Sequence, residues 1–425
     1  MNYQPKLADV QFGNSTFDLA LGSTLLRDIR YSACTTFYSL AAVTSVAAAL
    51  LSPAAAGEIS VPGTTVKYNT YIEGEGGYDT NPDGLFAKKG SAFEKVEGSF
   101  RATSSTATES YELFLKARDV QFNDLDDENR WDFKGGLDTS FVLGTGQKFS
   151  AGSYYLRDFF VLDKVDIVHS YSEYALTGDD YRLKFEGLSH VEHNIGEDVR
   201  GPDEPLDDFN VSQGKAFDFS RIDGRISGIA MTKTMIQPFV ILDYADINYY
   251  NQVSGASIDR DAREQFAVAG IRLDFDKTLR VDVGGRYNRR DFDDKVFTQS
   301  DRGFVDINAY WQPTEAFKAT FIVERFYRAP STSFGLADDV RSVGVTADWR
   351  FDKQWRLNAG GYYDRVDAIG EDLNYNKYSA TLSLTYEPTN SIEIFLSGLG
   401  KWVDEEVNAE QYDRFKIGSG VRFKF

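Results

Sequence analysis

From Gly57 onward, apolar and polar side chains alternate with a period of two, not the 3.6 of a helix. A chain patterned this way builds strands with one greasy and one charged face. The last segment shows it best. Phe415, Ile417, Val421, Phe423 and Phe425 share one face, and Arg414, Lys416, Arg422 and Lys424 share the other. Leu279, Val281, Val283 and Tyr287 oppose Arg280, Asp282, Arg286 and Asn288 in the same manner. So do Val343, Val345, Ala347 and Trp349 against Ser342, Thr346, Asp348 and Arg350.

Soluble sheets alternate too, with the apolar face turned inward. Three features favour the inverted arrangement, greasy side out. The segments run well beyond the usual strand length of about 5–6 residues. The apolar face often ends in an aromatic, as at Trp311, Trp349, Trp355 and Tyr386, which suits an interfacial girdle. The links also alternate between short turns and longer acidic loops. In hydrocarbon every backbone N–H and C=O needs an internal partner, so such a sheet must close on itself. The expected fold is therefore all-β: one transmembrane antiparallel barrel of about 18 strands over residues 57–425. Alternation weakens between Ala151 and Tyr174, which leaves 16 strands as the alternative.

The segment before it has a different character. Arg27 and Arg30 precede an Ala-rich apolar stretch from Tyr38 to Leu51, and Ala54-x-Ala56 follows. This is the layout of a secretory signal peptide over residues 1–56, with cleavage between Ala56 and Gly57. Its charges sum to zero, so the exported part keeps the net charge of -19. That acidity excludes a nucleic-acid partner, because phosphate binding needs basic surface. The single Cys, Cys34, falls in the leader and rules out a thiolate metal cluster.

Two motifs carry resemblances. Lys416 to Phe425 resembles the terminal assembly signal of outer-membrane barrels, with Gly418, Val421, Phe423 and the final Phe425 at the signal positions. The resemblance implies recognition by the barrel-assembly machinery. Gly76-Gly77-Tyr78-Asp79-Thr80-Asn81-Pro82 resembles the opening strand of a family of outer-membrane β-barrel porins. Members of that family are often associated with exopolysaccharide export, and some are thought to be its outer-membrane exit.

The expected lumen lining includes Arg280, Asp282, Arg286, Asp348, Arg350 and Arg356, with Tyr310 and Tyr362 on the same polar face, where they fill space or, as the less favoured reading, stack on sugar rings. Charges facing water in a barrel this wide are cheap, whereas facing lipid they cost about 2–4 kcal/mol each for Arg or Lys. The acidic runs Asp124 to Glu128 and Asp203 to Asp208 lack the Gly and late Glu of an EF-hand. His190 and His193 lie three apart in a strand and point to opposite faces, which suits no metal. No cofactor is expected. No G-x-S-x-G elbow is present, and no enzyme activity is expected, a barrel hydrolase using His169 or His190 being the least favoured reading.

The expected function is an outer-membrane channel, with exopolysaccharide exit ahead of a general or solute-selective diffusion porin and a structural or adhesive barrel third. A diffusion porin would fold the Ile195–Lys215 loop inward. The expected partners are outer-membrane lipid and lipopolysaccharide, the barrel-assembly machinery and a periplasmic polysaccharide-export apparatus.

Overall fold

The computed structural model describes residues 59–60, 65–80, 90–125, 129–159, 164–194, 219–250, 259–276, 278–294, 297, 299–328, 336–370, 374–405 and 411–425. The strands are β1 (Ile59–Ser60), β2 (Val66–Asp79), β3 (Ser91–Ser105), β4 (Glu109–Phe122), β5 (Arg130–Gly144), β6 (Gln147–Phe159), β7 (Lys164–Thr177), β8 (Tyr181–Asn194), β9 (Phe219–Ala230) and β10 (Ile236–Tyr249). They continue as β11 (Ala262–Phe275), β12 (Leu279–Phe292), β13 (Gln299–Thr314), β14 (Phe317–Arg328), β15 (Ala337–Trp349), β16 (Trp355–Ile369), β17 (Asn374–Thr389), β18 (Ile392–Glu405) and β19 (Gln411–Lys424). No helix long and apolar enough to cross a membrane occurs among the described residues.

Each strand from β2 to β19 pairs antiparallel with the next, and β19 pairs with β2, so eighteen strands form a closed ring. Closure satisfies the backbone on both edges of every strand. The two-residue β1, which the alternation did not reveal, lies on β2 at Lys67 and Tyr68, below the end of β19. The links at one rim hold two to five residues, and those at the other hold four to 24. In the two-residue link Thr145–Gly146, Gly146 has φ +73° and a side chain there would meet the Thr177 carbonyl, so glycine is required.

The doubtful stretch resolves as β6 and β7, which decides for 18 strands over 16. Its pattern is weak for a physical reason. Ser153 and Ser170 bond to each other on the outer face, while Tyr154 and His169 stack on the inner one. Both faces are mixed, so the alternation is muted.

Elsewhere the wall is inverted as expected. Leu113, Leu115, Ile226, Leu242, Val305, Val345 and Leu396 are exposed, while Glu73, Arg118, Asp243, Asp282, Arg286 and Asp306 are buried. On β12 the outward apolar run from Leu279 to Tyr287 covers nine residues. At about 3.3 Å per residue and a tilt near 40°, this is roughly 23 Å, the height of a lipid-facing band. Aromatic pairs bound that band. Trp311–Phe317, Trp349–Phe351 and Trp355–Tyr386 lie at the short-turn rim, and Tyr363–Tyr378 and Trp402–Phe415 lie toward the loops.

Above the upper aromatics the two faces exchange character. On β4 the outer row passes from Leu115 to Asp119 and Gln121, while the inner row passes from Arg118 to the buried Val120 and Phe122. On β10 Leu242 and Tyr244 give way outside to Asp246 and Asn248, and Ala245 and Ile247 are buried inside. Val340 and Val366 pack with Tyr375, Phe326 and Val403 at the same level of β14 to β18. The loop end of the wall is thus built like a water-soluble barrel, greasy side in.

Candidate functional site: the lumen wall

The closing seam carries a dense ion-pair network on its inner face. Lys95 reaches Glu73 at 2.7 Å and also contacts Glu75; Arg422 reaches Glu73 at 2.5 Å and Glu393 at 2.8 Å. Lys116 meets Glu97 at 2.9 Å, Tyr71 donates to Glu97 at 2.6 Å, and Arg118 pairs with Asp132. The resembling motifs meet here. Gly76 and Gly77 lie opposite Ser419 and Gly418, and Asp79 accepts from Arg414 at 2.6 Å. A side chain on Gly77 would fall 2.0 Å from the Ile417 carbonyl, so the close approach of β2 and β19 requires glycine.

A second network lines β8 to β13. Arg225 pairs with Asp243 at 2.7 Å, Arg272 with Asp282 at 2.7 Å, and Arg286 with Asp306 at 2.6 Å, all buried. The Arg225 and Arg286 guanidiniums also lie 5.3 and 4.6 Å from the Phe266 ring centroid. A 240 Å³ cavity opens beside this network, lined by Lys148, Glu173, Glu186, Asp223, Arg225 and Asp243.

Of the expected lining residues, Asp282 and Arg286 sit in this second network, each bound to a partner on a neighbouring strand. Asp348 and Arg356 bind each other across β15 and β16. Arg280 stacks on Tyr310 with 5.6 Å to the ring centroid, and Tyr310 donates to Gln312. Arg350 departs from expectation: β15 ends at Trp349, so Arg350 lies in the rim turn, exposed and 3.8 Å from Glu387. Its alternation with Asp348 simply runs one step past the last ladder position. The Ala56–Gly57 cleavage site, the 1–56 leader, the Ile195–Lys215 loop and Asp203 to Asp208 lie outside the described residues.

The sequence reading missed two features. Tyr154, His169, His190, Phe219 and Tyr249 stack in an arc across β6 to β10, with centroids 4.8, 6.0, 5.4 and 5.5 Å apart. Lys134 lies 4.3 Å from the Tyr154 ring centroid at one end of the arc. His169 and His190 are direct cross-strand partners, a register that no local spacing reveals. His169 and His190 meet edge to face at 72° between ring planes, and the other rings of the arc are stacked or tilted on one another, which makes the arc packing. No group of three or more His, Cys, Asp or Glu placed to hold a metal occurs among the described residues.

The other missed feature is an uncharged lane. On β17 the inward row is Ser379, Thr381, Ser383 and Thr385. On β16 it is Asn358, Gly360 and Tyr362 between Arg356 and Asp364, and on β15 it is Ser342, Gly344 and Thr346. On β18 the inward row is Phe395, Ser397 and Leu399, with Ser397 donating to Glu75 at 3.2 Å, and Gly418 and Gly420 continue the uncharged surface on β19. The Tyr362 ring occupies the space a Gly344 side chain would fill, so it lies against the wall. Signal for the lane was present as Ser and Thr at every second position, but only the register joins the strands into one surface.

Residues 215–425 match the family described as Putative beta-barrel porin 2. Over those residues the chain is a member of this porin family. The match covers the second half of the chain and leaves the Gly76–Pro82 motif outside it. A barrel of this family with an apolar exterior band is an outer-membrane porin, and its place is the bacterial outer membrane. No curated protein matches the chain. Among solved structures, it is similar to the siderophore receptor PirA from Acinetobacter baumannii at 7% identity, covering 84% of this chain and 80% of that one, with a TM-score of 0.46. It is also similar to the FrpB iron transporter from Neisseria meningitidis at 10% identity, covering 84% and 82%, with a TM-score of 0.42. A third is OccK2 (OpdF) from Pseudomonas aeruginosa in complex with glucuronate, at 9% identity, covering 85% and 98%, with a TM-score of 0.45.

Proposed function

We propose that this porin is the outer-membrane exit for a secreted exopolysaccharide. The observation that carries the reading is the uncharged lane on β15 to β19. Sugar hydroxyls both donate and accept, and Ser, Thr, Asn and Tyr side chains return both roles without holding the chain as an ion pair would. The lane's inward positions bear no formal charge over the middle of the wall, while the network on β8 to β13 is densely charged. A sliding polymer needs many weak, interchangeable contacts, and a ladder of hydroxyls provides them.

The chain is then expected to work with a periplasmic apparatus that delivers the polymer, without catalysing a reaction itself. The test is a deletion strain complemented with wild type or with Thr381→Glu, which places a charge in the lane. Wild type is expected to restore surface polysaccharide and Thr381→Glu to restore little of it at equal barrel abundance. Unchanged surface polysaccharide on deletion, or an absence of conductance in planar bilayers, overturns the reading.

A further inference from the structure

We infer that the loop ends of β14 and β15 form the constriction of this channel, and that its width is adjustable because side chains, not a ladder, fasten it. The inference concerns the channel itself and does not depend on what passes. The seam between β13 and β14 is incomplete. Its ladder runs from Thr314 and Phe317 up to Ile307 and Val323 and stops there, although β13 continues to Gln299 and β14 to Arg328. Each strand keeps its other neighbour over that length, β13 pairing with β12 and β14 with β15. Above Val323, then, β14 leaves β13 and takes β15 with it.

Side-chain contacts show where the two strands go. Arg325, Tyr327, Ala337 and Asp339 belong to the row that points outward lower down, in step with the exposed Phe321 and Val343. All four are buried, and their neighbours come from the inward rows of β11 to β13. The Tyr327 hydroxyl lies 3.0 Å from both the carbonyl and the hydroxyl of Ser300. Arg302 reaches Asp339 at 3.1 Å, and Asn288 donates to the Arg325 carbonyl at 3.0 Å. Leu336 and Ala337 pack with Ala262 and Phe292. The outer face of β14 and β15 therefore lies on the inner face of β11 to β13, and the ring closes here by overlap.

An overlap narrows the mouth. Barrel diameter grows about linearly with strand number, so an overlap roughly two strands wide gives this ring the mouth of one with about 16 strands. Elsewhere, widening the wall means breaking a continuous ladder. Here only side-chain bonds give way, and Asn288 Oδ1 is already buried without a hydrogen-bond partner. Such a junction opens at lower cost than the rest of the wall.

The experiment uses the purified full-length barrel in planar bilayers. Ser300→Cys and Tyr327→Cys are made together with Cys34→Ser, so that the overlap carries the only thiols. A short bis-methanethiosulfonate joins the two thiols, and dithiothreitol releases them. The bridged barrel is expected to conduct as wild type does. The released barrel is expected to conduct about 1.3-fold better, the ratio of cross-sections for 18 and 16 strands. The largest neutral polyethylene glycol that enters is expected to grow on release. Arg302→Gln/Tyr327→Phe unfastens the overlap without new thiols and is expected to conduct like the released form. Heat-modifiable migration on unboiled gels reports that each barrel is folded. Equal conductance of the bridged and released barrels overturns the proposal. Failure of the reagent to join the thiols in the folded barrel overturns it too, since the overlap places them side by side.

Discussion

Glu73 is the hub of the closing seam, buried and bound by Lys95 and Arg422 from the strands on either side. Glu73→Gln leaves two cations facing a neutral amide, and the loss is expected to be about 2–4 kcal/mol, read as a lower urea midpoint for the barrel in detergent. Gly77 fails differently. Gly77→Val drives a branched side chain into the β19 backbone, so the expected result is loss of the compact, heat-modifiable species on unboiled gels. Alternation sorts the side chains onto two faces, and Asp282, Arg286 and Asp348 fall on the face opposite the exposed Tyr287, Val343 and Val345. Which residues meet is not legible in it. Arg286 finds Asp306 and Arg272 finds Asp282 through registers set by turn lengths and bulges, and no spacing within one strand encodes them.

At the scale of the strand, β15 offers a direct comparison between its two faces. Val345 is exposed toward lipid and Thr346 faces the lane. Val345→Arg is expected to cost about 2–4 kcal/mol in refolding into liposomes, and Thr346→Arg much less, because its guanidinium stays in water. Removing Phe425 is expected to lower the folded, outer-membrane fraction in cell fractionation, since the residue exchanges two backbone hydrogen bonds with Thr70 at 2.8 and 3.1 Å. Strand limits were legible to within a few residues because period-two patterning persists to the ends of most strands. The exchange of faces near the loops was written in the sequence but masked by a polar run: on β12 the outer row passes from Tyr287 to Arg289 and Asp291, while Phe292 falls on the inner row.

For the whole molecule, the ring has no edge left over, because β19 is held by β18 on one side and by β2 on the other. Residues Lys416 to Phe425, which resemble an assembly signal, are therefore occupied along both flanks once folding finishes. Any insertion catalyst that grips this segment through its main chain must release it as the first strand arrives, and a completed barrel presents nothing to be gripped again. With such a catalyst, maturation would be one-way, the N-terminal strand acting as the competitor that ends its own escort.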